Sequence, residues 1–300
     1  MARFTNIAEA DDNGALLHKH LVPEDLFKSV SKGSDRAPTK REIPLIYNNR
    51  KITIQNPTQL DESDLTVFLA FLSLAKNIGV DHTVTDESTG EEYKFIKVTT
   101  SIADVLSLMR KTNAGANIEK LRDSIKRLSQ IKYYDEGSVS GNDKAYLKIN
   151  AEHQSLLGHT EIASGANGVE ISINYLFSEV LILQETFTYI RMEEYLPLSS
   201  LARILYVNLC ISINRPMSDN DVKAQQTFNL STIVERVYPQ VKTRVRKPSK
   251  QEIARAEDKK RKQEERVSNA FAEIAALKRW DIRVGKSKVS IKRLYNDGDN

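Results

Sequence analysis

The chain has 300 residues, 40% hydrophobic and 28% charged, with 44 Lys+Arg against 40 Asp+Glu and a formal net charge of +4. That is an ordinary globular composition, long enough for roughly two domains. A single cysteine, Cys210, excludes an internal disulfide and a multi-cysteine zinc site and points to a reducing cytoplasm, and no apolar run is long enough for a membrane span or a signal peptide.

The small net charge conceals an uneven distribution. Residues 242–293 hold 18 Lys+Arg against 7 Asp+Glu, a net of +11, which leaves the remainder at 26 against 33, a net of −7. A cationic end on a weakly anionic body suits a polyanion partner. On charge alone, a solvated lysine-rich helix serves equally well.

In chain order, residues 1–42 are polar, with Asp11-Asp12-Asn13-Gly14 and Lys32-Gly33-Ser34-Asp35-Arg36, and read as a loosely docked N-terminal arm. Order is expected from Ile43, where 43–47 and 51–54 form a hairpin turning at Asn48-Asn49. Asp61 or Ser63 then caps an apolar helix carrying Leu65, Phe68, Leu69 and Leu72 that ends near Gly79. A strand at 93–98, a short helix at 101–109, a turn at 112–117 and a helix at 117–129 follow. In that last helix Ile118, Leu121, Ile125 and Leu128 recur at helical spacing. Strands at 131–134 and 145–149 complete the set.

The same order recurs. Ser199 or Ser200 caps an apolar helix at 201–213, and Thr227-Phe228-Asn229-Leu230-Ser231 leads to a short helix stopped by Pro239. A long helix at 249–277, packed through Val267, Phe271, Ile274 and Leu277, precedes strands at 280–284 and 288–293 around the turn Gly285-Lys286-Ser287. Between the copies, 168–173, 175–183 and 187–192 read as strand, helix and strand. Three helices and a two-stranded wing, twice over, define an α+β fold of two tandem winged-helix domains, at 43–196 and 197–300, meeting near Leu196-Pro197-Leu198.

A winged helix lays its third helix in the major groove and keeps the opposite face apolar. Asn113, Asn117, Lys120, Ser124 and Arg127 form a polar stripe offset from the apolar one. Arg255, Lys259, Lys262, Arg266 and Asn269 repeat that spacing on the long helix, where Lys260 and Arg261 flank it and suit phosphate contacts. Lys286, Lys288, Lys292 and Arg293 on the wing suit backbone or minor groove.

Enzyme signatures do not occur. There is no phosphate-binding Gly-x-x-x-x-Gly-Lys-[Ser/Thr] loop, so ATP-driven strand separation by this chain is not expected. His18-Lys19-His20 lies in the polar arm rather than around an apolar residue of a strand, and Asp219-Asn220-Asp221 reads as a turn and helix cap rather than a metal site. No metal and no cofactor are expected. Tyr133 and Tyr134, at the base of the first wing, are read first as packing residues, with stacking on single-stranded bases the alternative.

The chain over about residues 20–293 resembles the replication protein C (RepC) initiators of IncQ-type plasmids. The likeness is carried by Ile52-Thr53-Ile54-Gln55-Asn56-Pro57 before Leu60-Asp61-Glu62-Ser63-Asp64-Leu65, and by residues 117–132. Phe187-Thr188-Tyr189-Ile190-Arg191-Met192 and Leu198-Ser199-Ser200-Leu201-Ala202-Arg203 extend it. It ends with Lys259-Lys260-Arg261-Lys262-Gln263 and Ala272-Glu273-Ile274-Ala275-Ala276-Leu277. The resemblance implies two winged-helix domains that bind directly repeated origin DNA (iterons) and open adjacent A·T-rich DNA. It also implies work with a plasmid helicase and primase, and it leaves room for self-association. The connector at 239–257 is longer than the family pattern, so the start of the second reading helix does not carry over. A winged-helix transcriptional regulator binding an operator is the competing expectation. Two non-identical readers in one chain fit direct repeats better than a palindrome.

Overall fold

The computed structural model describes residues 14–18, 21–22, 26–30, 38–47, 50–85, 90, 92–138, 155–162, 168–183, 187–213, 224–238 and 249–294. Among these it shows a mixed α/β architecture with eight helices and small antiparallel sheets. The chain divides into two compact units. The first combines residues 1–26 with 35–196, and the second combines 27–34 with 197–300.

The first unit is built round α1 (Glu62–Ile78), of whose 17 residues 12 are buried. A helix apolar on nearly every side has to be enclosed, and α1 is. Asp61 caps it, accepting from the backbone N–H groups of Ser63 and Asp64, while the Asp64 carboxylate accepts from the Asp61 N–H to close a capping box. Phe68 meets Phe177 edge to face at 5.3 Å, and Tyr133 meets the same ring at 5.6 Å. The Tyr133 hydroxyl donates to the Leu21 carbonyl at 2.8 Å, and full burial pushes its phenol far above the usual range. Tyr133 is a packing residue.

Around this core run β1 (Ala15–His18), β2 (Pro38–Tyr47), β3 (Arg50–Thr58), β4 (Val80–Thr85), β5 (Glu92–Ser101), α2 (Ile102–Leu108), α3 (Gly115–Gln130), β6 (Lys132–Ser138), β7 (Leu157–Ile162), β8 (Gly168–Ile173), α4 (Tyr175–Leu183), β9 (Phe187–Ile190) and α5 (Met192–Tyr195). The expected hairpin is β2–β3, longer than its apolar stretches and beginning at Pro38; its turn at Asn48-Asn49 lies outside the described residues.

Two expectations are corrected here. Part of the segment read as a loose arm is core: β1 pairs antiparallel with β9, and Ala15, Leu16, Leu17, Leu21, Val22 and Leu26 are buried. A Cβ at Gly14 would fall on the Tyr189 ring, so the close approach there requires glycine. His18 is buried in β1 and its Nδ1 accepts from the Leu21 N–H at 3.2 Å, while His20 lies outside the described residues.

The strand read as the start of the first wing joins a different sheet. β6, expected as a wing strand, pairs with β3 in the sheet β2-β3-β6, and residues 145–149 lie outside the described residues. The hairpin after α3 that returns to β5 is β7–β8, giving the order β4-β5-β8-β7. Strand β8 alternates buried Val169, Ile171 and Ile173 with half-buried neighbours, the period-2 pattern of a sheet face on a core.

The second unit contains α6 (Ser200–Ser212), β10 (Gln225–Asn229), α7 (Leu230–Val237), α8 (Lys250–Ala275), β11 (Trp280–Val284) and β12 (Lys288–Arg293), with sheet order β10-β12-β11. Its core joins Leu205, Tyr206 and Leu209 to Val267, Phe271, Ile274, Trp280, Val289 and Ile291. Glu273 of α8 holds the start of α6, accepting from the Ser199 N–H and hydroxyl, both at 2.8 Å. Asp219-Asn220-Asp221 lies outside the described residues.

The second unit runs helix, strand, helix, helix, hairpin; the first has the same kinds of element in that order, with β4 inserted before β5 and β6 inserted before β7. In each, the strand before the second helix pairs with the last strand of the hairpin: β5 with β8, and β10 with β12.

Candidate nucleic-acid interface

In the first unit the surface in question is α3 with the turn before it. Leu121, Ser124, Ile125 and Leu128 are buried. Of the five residues read as one polar stripe, Asn113 and Lys120 are exposed, but Ser124 is only 1% exposed. Arg127 turns inward, donating from Nε and Nη2 to one oxygen of the fully buried Asp64 at 3.0 and 2.8 Å, and from Nη2 to Ser124 Oγ at 3.0 Å. Ser124 and Arg127 are thus corrected from an outward stripe to the packed side. There they tie α3 to α1, and Asp64 joins that tie to the capping box.

Asn117 also serves the fold in part. Its side chain donates to the Thr112 carbonyl at 2.9 Å and hydroxyl at 3.0 Å, fastening the turn to the helix, which begins at Gly115 rather than at Asn117. The outward face instead carries Glu119, Arg122, Asp123 and Lys126, of mixed sign. Arg122 and Lys126 were legible as an i, i+4 pair turned about 100° from Leu121 and Ile125, but the sequence reading missed them.

The turn itself is exposed, and its two charged residues, Arg110 and Lys111, are both basic. Helix α2 ends in a double closure: Lys111 N–H donates to the Leu106 carbonyl and Arg110 N–H to the Ser107 carbonyl, at 2.8 and 2.9 Å. This is the glycine-favouring Schellman arrangement. Its left-handed position is held by Arg110, at φ 55°, the one non-glycine residue of positive φ among the described residues. Left-handed backbone costs an L-residue about 1–2 kcal/mol. Residues 110–116 are exposed without a break.

In the second unit α8 runs 26 residues, about 39 Å at 1.5 Å per residue. Ser249 and Glu252 form its capping box, and the Ser249 backbone and hydroxyl donors hold the Glu252 carboxyl below its ordinary value. Only Val267, Ala270, Phe271 and Ile274 are buried, so residues 250–266 stand clear of the core. Arg255, Lys259, Lys262 and Arg266 share one side at spacings of 4, 3 and 4, all exposed, and exposed Asn269 continues the line. Arg266 bonds the Tyr238 hydroxyl and opposes the upward push of burial on that phenol.

Lys260 and Arg261 are exposed but lie off this side, since each step turns 100°. Arg261 and Lys262 reach Asp258 at 2.7 and 2.8 Å. Those two donors, Lys262 foremost, lower the Asp258 carboxyl from its ordinary value. Asp258 borders the basic side and pairs with Lys262, while Glu257, Glu264 and Glu265 lie further round the helix with Lys260 and Arg261 among them.

On the hairpin, Lys286 and Lys288 are exposed at the β11–β12 turn. Lys292 and Arg293 sit at its base, half-buried. Arg293 covers the Trp280 ring at 5.4 Å and donates to the Ile213 carbonyl at 3.5 Å, so these two strengthen the base of the hairpin rather than its tip. Exposed Arg283, paired with Asp281 at 3.0 Å, is a further cation on the hairpin that the sequence reading missed.

Among the described residues no group of three or more His, Cys, Asp or Glu could hold a metal ion, and no helix is long and apolar enough to cross a membrane. The class defined is a mixed α/β protein of two units, each offering a partly exposed third helix beside an antiparallel hairpin. No protein-family model and no curated protein sequence matches the chain. Among solved structures it is similar to a selenomethionine crystal structure of domains 2 and 3 of RctB, at 14% identity over 93% of this chain and 98% of that one, with a TM-score of 0.47. A second crystal structure of those domains matches at 13% identity over 91% and 96%, with a TM-score of 0.46.

Proposed function

We propose that the chain is an origin-binding replication initiator that grips duplex DNA with two winged-helix units and catalyses no reaction. The observation that carries this reading is a shared order of elements, α1-β5-α2-α3-β7-β8 (with β4 and β6 as insertions) and α6-β10-α7-α8-β11-β12, in which the strand before the second helix pairs with the last strand, as the winged-helix reading requires. In both, the third helix keeps an apolar face on the core and turns cations outward. The net-basic side of α8 that carries Arg255, Lys259, Lys262 and Arg266 suits a phosphate backbone. The finer reading, direct repeats on a plasmid with helicase and primase recruited afterwards, rests on the resemblance of the sequence to RepC initiators. With no ATP-driven step in this reading, opening of A·T-rich DNA draws on binding energy and on the low stiffness of TA steps.

The test is a gel-shift salt titration with directly repeated origin DNA against random duplex. With about 6–10 phosphate contacts, affinity drops roughly a thousandfold or more between 50 and 200 mM salt. A flat salt response, or equal affinity for both duplexes, contradicts the reading.

A further inference from the structure

We propose that Arg110 is a contact to the DNA phosphate backbone that fixes where α3 enters the groove, an assignment that rests on the DNA-binding reading above. Its position in the fold favours glycine: it closes the Schellman end of α2 in left-handed backbone, at φ 55°. A side chain kept there is disfavoured by its own backbone, and no hydrogen bond or ion pair of that side chain with a described residue offsets this. Arg110 is exposed, and its guanidinium has no hydrogen bond or ion pair with any described residue. Neighbouring polar groups behave otherwise: Asn117 is consumed by the turn and Arg127 by Asp64.

Its surroundings suit an anion. From Val105 to Ile118 the sequence contains no Asp or Glu, and Lys111 follows Arg110 directly. This acid-free stretch contrasts with the body of α3, where Glu119 and Asp123 offset Arg122 and Lys126. A guanidinium presents paired donors that match a phosphate, and it stays charged at any working pH. Non-glycine residues in left-handed backbone cluster at ligand-binding and switch segments.

The assignment predicts opposite signs for stability and binding, which a merely structural residue would not give. In the full chain, Arg110→Gly relieves the backbone and melts no lower than wild type. It binds a mixed-sequence duplex of about 40 base pairs roughly five- to tenfold more weakly, and its log–log salt slope is shallower by about one. Arg110→Lys keeps the charge and falls between the two. Arg110→Gly binding as wild type does, with the wild-type slope, overturns the assignment, and so does a lower melting temperature, which would place the side chain in the service of the fold. If wild type itself fails to bind the duplex, the DNA-binding reading falls first and the role of Arg110 falls with it.

Discussion

Helices α3 and α8 hold the same place in the order of their units, yet they are secured by different means. Helix α3 is packed along its length and locked to α1 by the buried Asp64–Arg127 pair, so its polar side is partly spent on the fold. Helix α8 is packed only through its last third, and its first 17 residues carry an exposed basic side. Affinity should therefore be concentrated in α8 and its hairpin. In the first unit the precision of α3 comes from its anchoring, and the turn before it holds two cations, Arg110 and Lys111, with no acid beside them.

The largest effect that can break this contrast is at Asp64. Asp64→Ala leaves Arg127 without its partner inside the first unit, and removing one member of a buried pair costs about 3–5 kcal/mol. Urea unfolding measures it. Arg255→Ala on exposed α8 stays within about 0.5 kcal/mol of wild type. Equal losses at the two sites would mean that the helices are held alike.

Next in size is Ser249→Ala. It removes the hydroxyl that caps α8 and costs about 1 kcal/mol of helix stability, read as lost helical circular dichroism and a lower melting temperature. The pH dependence at the same end is smaller. The Glu252 and Asp258 carboxyls titrate below their unfolded values, so their contribution is complete above the ordinary carboxylate range and is lost as pH falls through the depressed folded values. Helicity of α8 therefore declines on acidification from pH 5 downward (about one unit above an ordinary carboxylate), and Asp258→Asn removes its share of that decline. An unchanged acid limb in this variant would show that the Asp258 contacts do not brace α8.

The sequence made some of this legible. The apolar run of α1, the order α6 to β12 and the basic side of α8 follow from periodicity and spacing, because in those segments local pattern and tertiary role agree. The sheet that β6 joins did not, because β6 has strand character in either sheet, and only its pairing with β3 decides that. Ser124 and Arg127 misled because a small hydroxyl and a long cation look solvent-facing in a pattern, while a carboxylate 60 residues upstream, Asp64, draws them inward. Nothing local signals that Arg110 occupies left-handed backbone, since the usual signature of that position is glycine. Burial of β1 in a polar N-terminal stretch depends on β9, far along the chain.

The central claim is that two units of one chain each engage duplex DNA. It is tested most directly by hydroxyl-radical footprinting of wild type, Arg110→Gly and the double variant Arg255→Ala/Lys259→Ala on one directly repeated origin duplex. The account predicts two protected segments for wild type, loss of one in the α8 variant, and weakening of the other in Arg110→Gly. The α8 variant should also show a salt slope shallower by about two, one for each lost phosphate contact. A single protected segment that both variants weaken alike would contradict it, as would a footprint that neither variant alters.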